Sequence, residues 1–211
     1  SDDENKPYIC DKTQKFFPNC KNCEKETCVL ISHCEAIRQG VNDGHEWFVI
    51  CEDDIDISQF KIDWDQMIKY IPSDAECIQM LCSNPLTVNK LYEVLEKHKA
   101  LFVPYKFIIP CCGFYMVSMS GAMKILDKYR TIDGKWNFSK AEYCILSDAL
   151  IYQTCKTYVT TYPMANLHTE LDSLVHPEHL DSHKYGESEI QKIIDSSSVN
   201  PLPYLCKNAK K

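Results

Sequence analysis

The chain has 211 residues, of which 45% are hydrophobic and 25% charged, and this ordinary globular composition excludes disordered and fibrous architectures. The formal net charge is −7 and the only arginines are Arg38 and Arg130, so we predict no nucleic-acid partner. No apolar run approaches the roughly 18 residues that a membrane-spanning helix needs, so we predict no membrane span.

The first predicted segment is an irregular, cysteine-containing lead-in over residues 1–28. These residues are polar, and their apolar positions show neither a period of 2 nor a period of 3.6. Four cysteines lie here, Cys10, Cys20, Cys23 and Cys28, and Cys20 and Cys23 form a CxxC pair. Their spacing fits a structural zinc site or two disulfides equally well.

Helices and strands alternate in the prediction for the middle of the chain. Apolar positions at helical spacing predict a helix over 29–43, and a short apolar run predicts a strand over 46–51. The elements predicted after these are a helix over 63–70, strands over 77–82, 99–103 and 113–118, helices over 122–129 and 147–155, and a strand over 158–162. This alternation predicts an α/β layered fold.

Beyond Leu167 the chain turns polar and ends in a short amphipathic piece and a lysine-rich tail. Four of the seven histidines lie in this part, at positions 168, 176, 179 and 183. Their spacing fits no standard zinc pattern, so we predict a solvated tail or a single functional histidine.

An acidic run, Glu52-Asp53-Asp54-Ile55-Asp56, follows the predicted strand over 46–51 directly. Four carboxylates in five positions repel one another unless a cation or a basic group compensates, so the run is a candidate Mg²⁺ or Mn²⁺ site. A solvated acidic loop is the alternative.

Two further features could carry chemistry. Ser32 and His33 lie within the first predicted helix, where a histidine is commonly a core residue whose ring nitrogens are hydrogen-bonded. Asp148 lies at the start of a predicted helix, where a carboxylate commonly caps the helix or interacts with its dipole.

The 13 cysteines bear on the compartment. Cys51 and Cys112 lie in apolar runs, where a free thiol behaves as a small hydrophobic side chain, and this favours a reducing compartment. The cysteines of the lead-in and the sequon at Asn137 are compatible with an oxidising lumen. We predict a cytoplasmic protein, with the lumen of the secretory pathway as the alternative.

Five sequence blocks, taken together and in order, resemble glycosyltransferase family 25, which includes bacterial lipooligosaccharide and collagen galactosyltransferases. The blocks are a Ser-His pair at 32–33, an apolar strand ending in Glu-Asp-Asp at 47–54, the run at 78–81, a Gly, aromatic, Ser, Gly-Ala and Lys pattern over 113–126, and Ser-Asp at 147–148 with Tyr-Pro at 162–163. The resemblance covers about residues 28 to 175. The family's usual opening strand has no clear match in the lead-in.

This resemblance implies a GT-A-like (Rossmann-like) three-layer fold with a mainly parallel central sheet. It places a family 25-like domain at residues 29–175 and leaves 176–211 as a polar segment that packs on the domain or trails from it. It also implies Mn²⁺ or Mg²⁺ as a cofactor, and roles for seven residues: metal ligands Asp54, Glu52 and His168, donor contacts Ser32, His33, Glu52 and Asp53, and the catalytic carboxylate Asp148.

The function that the resemblance implies is transfer of galactose or glucose from a nucleotide donor, UDP-galactose or UDP-glucose, to a hydroxyl of a protein or glycan acceptor. A cation would neutralise the charge that builds on the leaving diphosphate. The alternative is a catalytically inactive relative, an interaction or structural protein that lacks a complete donor site.

Overall fold

The computed structural model describes residues 23–60, 63–106, 109–141, 146–169 and 180–196. The helices are α1 (Cys23–Asp43), α2 (Trp64–Ile68), α3 (Pro85–His98), α4 (Met119–Tyr129), α5 (Ser147–Thr154) and α6 (Leu180–Ser196). The strands are β1 (Trp47–Cys51), β2 (Ile55–Asp56), β3 (Cys77–Gln79), β4 (Phe102–Pro104), β5 (Phe114–Ser118), β6 (Thr157–Thr160) and β7 (Asn166–Leu167). Within these ranges, no helix has the length and apolar character needed to cross a bilayer.

The central sheet contains five strands in the order β1-β5-β3-β6-β4. β3 and β6 pair in parallel, whereas β1 with β5, β3 with β5, and β4 with β6 pair antiparallel. The prediction of a mainly parallel sheet is therefore wrong, although the α/β class is confirmed. The alternation of strands and helices shows order along the chain, but it carries no information on the direction in which β5 enters the sheet.

The sheet is covered by helices on both faces, and β5 shows why. All five of its residues are buried, and side chains alternate across a strand. Tyr115 and Val117 belong to a core cluster with residues of α1, α4 and α5, whereas Phe114 and Met116 belong to a second cluster with residues of α3 and α6. Because both faces of β5 are covered, the molecule has three layers.

The first helix begins at Cys23, six residues before the predicted start and inside the segment predicted to be irregular. Its buried positions include Glu26, Leu30, His33 and Ile37, which recur at intervals of three and four residues and so share one face. A glutamate on that face breaks the apolar pattern, and this explains why the sequence pattern missed the first turns.

Helix α3 was absent from the prediction, although its capping residues follow the usual rules. The Asn84 side chain accepts a hydrogen bond from the Thr87 N–H, and Pro85 occupies the first turn. Helix α6 packs against α3 and β7, and its Ile190 and Ile193 are buried in the second core cluster. The polar carboxyl-terminal segment therefore contributes a helix to the core.

Candidate functional site

Several of the residues singled out from the sequence, among them His33, Glu52 and Asp54, lie at one edge of the central sheet. β1, β3 and β6 run in one direction, and β5 runs in the opposite direction, so the carboxyl ends of β1 and β3 meet the amino end of β5. Glu52 follows β1, and the Glu52 N–H donates to the Gly113 carbonyl just before β5. Ligands of open α/β sheets commonly bind at the carboxyl ends of the strands.

His33 lies inside this edge and contacts the acidic run directly. Its Nε2 is 2.9 Å from Glu52 Oε1, and its Nδ1 is 3.3 Å from the Tyr115 hydroxyl of β5. His33 is only 4% exposed, whereas the Glu52 side chain is 37% exposed. The histidine is therefore a buried, doubly hydrogen-bonded residue, and Glu52 is the member of the group that reaches solvent.

One carboxylate oxygen of Asp54, Oδ1, is buried. No described residue donates a hydrogen bond to it, and burial raises the pKa of the carboxyl, as do the charges of Glu52 and Asp53. The Asp54 carbonyl accepts the His168 N–H at 2.8 Å, next to the antiparallel pair of β2 and β7. The His168 charge lowers the pKa of Asp54, but the His168 side chain itself is exposed.

The turn at Cys111 links this edge to Asp148 at the start of α5. Cys111 has a φ of 104°, which is strained for a residue with a side chain, and its neighbours hold it there. Its N–H donates to Asp148 Oδ2 at 3.3 Å, and its carbonyl accepts from Gln79 Nε2 and from the Tyr152 hydroxyl, each at 3.0 Å. Asp148 therefore anchors a backbone turn beside the acidic run.

The Asp148 carboxylate uses both oxygens for backbone donors. Its Oδ1 accepts the Ala149 N–H at 2.7 Å, while Oδ2 accepts the Cys111 N–H. Burial raises the pKa of Asp148, the nearby Glu26 charge raises it as well, and the two backbone hydrogen bonds lower it. The balance is a raised pKa, which favours the protonated carboxyl more than at an exposed aspartate.

The structure thus connects Glu52 with His33 and places Asp54 beside the backbone of His168. Ser32 and Asp53 are exposed, and Ser32 lies about 100° round α1 from His33. The sequence analysis missed Tyr115, the Gln79 amide and the carboxylate of Glu26. An aromatic residue in a strand is an ordinary core residue by pattern, and the local sequence does not show which distant groups Gln79 and Glu26 lie near, so no sequence signal marked them.

A complete metal cage made only of protein side chains does not occur among the described residues, since no group of three or more His, Cys, Asp or Glu side chains there could hold an ion. Of the cysteines predicted to bind zinc or to form disulfides, Cys28 is an exposed free thiol. Cys10, Cys20 and the side chain of Cys23 lie outside the described residues.

Comparisons with known proteins gave no match to a protein-family model, to a curated protein or to a solved structure.

Proposed function

We propose that the chain is a metal-dependent glycosyltransferase that moves a hexose from a nucleotide-sugar donor to a hydroxyl of a protein or glycan. The resemblance of residues 28–175 to family 25 supports this proposal. The structural observation that carries it is the buried Oδ1 of Asp54, which has no hydrogen-bond partner among the described residues and whose carboxyl feels the charges of Glu52 and Asp53. A buried carboxylate oxygen beside two like charges is stabilised by a cation or a proton, and a divalent cation is what the reaction needs.

The residues present fit a cation that is shared with phosphate groups. Mg²⁺ and similar hard ions are commonly held by one or two carboxylates together with the phosphates of a substrate, so three protein ligands are not required. Asp54 would be the main ligand, with Glu52 and His168 as the further candidates. The ion would neutralise charge on the diphosphate as it leaves.

The other residues would act on the two substrates. Glu52 and Asp53 lie at the carboxyl end of β1 and would contact the donor, with the exposed Ser32 as a further predicted donor contact. Asp148 would orient or deprotonate the acceptor hydroxyl. Each of its oxygens keeps a second lone pair, and its raised pKa is in the direction that suits a general base.

One observation favours a second candidate function, that of an inactive relative used for interaction or structure. Both Asp148 oxygens already accept backbone N–H groups, and one of these bonds holds the Cys111 turn. A carboxylate that is needed to hold a turn can be retained without any catalytic role. The two candidates differ in whether the protein binds and turns over a nucleotide sugar.

Isothermal titration calorimetry with UDP-galactose and UDP-glucose, with and without MnCl₂, tests the proposal. We expect Mn²⁺-dependent binding and slow release of UDP, with at least about a 10-fold loss of affinity, ~1.4 kcal/mol, in Asp54→Asn. The matched control is Asp56→Asn, which removes the same charge two residues along the chain. The oxygens of Asp56 already accept hydrogen bonds from Ser58 and Gln59, so we do not expect it to bind the cation. If neither sugar nucleotide binds with Mn²⁺, the proposal fails and the inactive relative stands.

A further inference from the structure

The Glu52 carboxylate is held by the interior of the protein through one of its oxygens, and the other oxygen lies beside a glycine. Its Oε1 accepts from His33 Nε2 at 2.9 Å. Its Oε2 lies 3.2 Å from the position that a Cβ would occupy at Gly113, so the absence of a side chain at Gly113 leaves room for this oxygen. The Glu52 N–H is also bound to the Gly113 carbonyl at 2.8 Å. A half-exposed glutamate is ordinarily free to rotate, and this one is held.

His33 can hold Glu52 only if its Nε2 carries a proton. Tyr115 supplies the partner on the other ring nitrogen, with its hydroxyl 3.3 Å from Nδ1. Burial raises the pKa of Tyr115 well above its usual range, so its hydroxyl keeps its proton and can donate to Nδ1. An Nδ1 atom that accepts from Tyr115 leaves the ring proton on Nε2, directed at Glu52.

Neither of the two buried residues is exposed enough to suggest a ligand-binding role of its own. Tyr115 is fully buried and His33 is 4% exposed, and the hydrogen bonds of the histidine ring both point to protein atoms. They come from α1 and β5, two elements that also pack through the first core cluster. The orientation of Glu52 is therefore tied to the packing of the core.

We propose that Tyr115 and His33 are positioning residues, a buried two-step relay that fixes the Glu52 carboxylate so that Oε2 faces an incoming nucleotide-sugar donor. This inference rests on the proposed function for the identity of the ligand, but the relay itself does not. His33 acts through Glu52 and does not contact the donor. The resemblance implies donor contacts for both His33 and Glu52, and in this proposal only Glu52 makes one.

The relay is tested first without any ligand, by long-range ¹H–¹⁵N NMR on protein labelled with ¹⁵N-histidine. His33→Gln identifies the His33 signals by their disappearance. We expect a ring that is protonated at Nε2 and whose nitrogen shifts change in Tyr115→Phe but not in Tyr129→Phe. Tyr129 is a matched control because it is also buried, and its hydroxyl bonds to Thr154 instead. A neutral ring protonated only at Nδ1, or unchanged shifts in Tyr115→Phe, would overturn the relay.

The positioning role is tested by the affinity for UDP with Mn²⁺, measured by calorimetry at a temperature where every variant is folded. We expect His33→Leu to weaken binding at least about 10-fold, whereas His33→Gln, which can still donate to Glu52, stays within about 3-fold. Gly113→Ala is a second variant that leaves His33 in place. Its Cβ would lie 2.8 Å from Ile55 Cδ1 and 3.2 Å from Glu52 Oε2, so it crowds both side chains and should weaken binding similarly. Unchanged binding in both His33→Leu and Gly113→Ala would refute the positioning role.

The two experiments fail separately. If the wild-type protein binds no UDP with Mn²⁺, the proposed function is overturned, and so is the claim that Glu52 faces a nucleotide-sugar donor. The NMR result still decides whether His33 and Tyr115 hold Glu52.

Discussion

The substitution Gly186→Ala tests whether α6 is seated in the core as the structure shows. A Cβ at this position would lie 2.2 Å from the backbone oxygen of Ser83, so α6 must move by about 1.2 Å to reach ordinary contact distance. Overpacking against backbone costs about 1–3 kcal/mol, and a clash this deep belongs at the upper end. Alanine regains about 1 kcal/mol of helix propensity over glycine. The net expectation is a loss of about 2 kcal/mol.

A protein of this size loses about 2–4 °C of Tm for each kcal/mol, so Gly186→Ala should melt about 4–8 °C below the wild type in differential scanning calorimetry. Displacement of α6 also loosens Ile190 and Ile193, which lie on the same face of the helix. Ser188→Ala is the control, because Ser188 is exposed on the same helix and should change Tm little. A Gly186→Ala protein as stable as the wild type would show that α6 does not pack on Ser83.

Three further outcomes are expected. Among the described thiols only Cys28 and Cys51 are exposed, so N-ethylmaleimide should label these two and spare the buried ones in peptide mass mapping of the native protein. Burial raises the pKa of Glu76, but hydrogen bonds and the Lys124 charge lower it to a net value below its usual range. The stabilising effect of the Glu76 carboxylate is therefore present above about pH 4.3 and lost as pH falls through the folded-state pKa. Glu76→Gln should cost about 1 kcal/mol at pH 7 in urea unfolding, and the cost should shrink as the pH is lowered below about 4.3. Asn84→Ala removes the amino-terminal cap of α3 and should cost about 1 kcal/mol in the same assay, with no change if α3 does not begin there.

Several elements could be predicted from the sequence because local pattern determined them. The apolar run before Glu52 predicts β1, although only Ile50 of this edge strand is buried. The spacing of Ile125 and Tyr129 predicts α4, because these buried residues share one face of the helix. The antiparallel entry of β5 could not be predicted, because strand direction depends on which partners it meets far along the chain. Helix α3 was missed although Asn84 and Pro85 carry a standard start signal.

In the candidate site too, features of the local sequence could be predicted, whereas contacts that depend on the fold could not. The acidic run was visible because four carboxylates in five positions are costly without compensation. The contact of His33 with Glu52 joins residues 19 apart, and the contact with Tyr115 joins residues 82 apart. Contacts between residues so far apart in the sequence form only through tertiary packing. The unpartnered oxygen of Asp54 is likewise a property of the fold and not of the local sequence.

The strand order also has a consequence for the rate of folding. In the central sheet, β3 pairs with β5 over separations of 36 to 40 residues, and β1 pairs with β5 over 63 to 71 residues. Closing loops of this length before any ladder forms is slow, and chains dominated by such pairings fold in milliseconds to seconds. The shorter β3–β5 loop closes at the lower entropic cost. Strand β1, and with it the acidic run, is therefore expected to join a sheet whose centre has already formed.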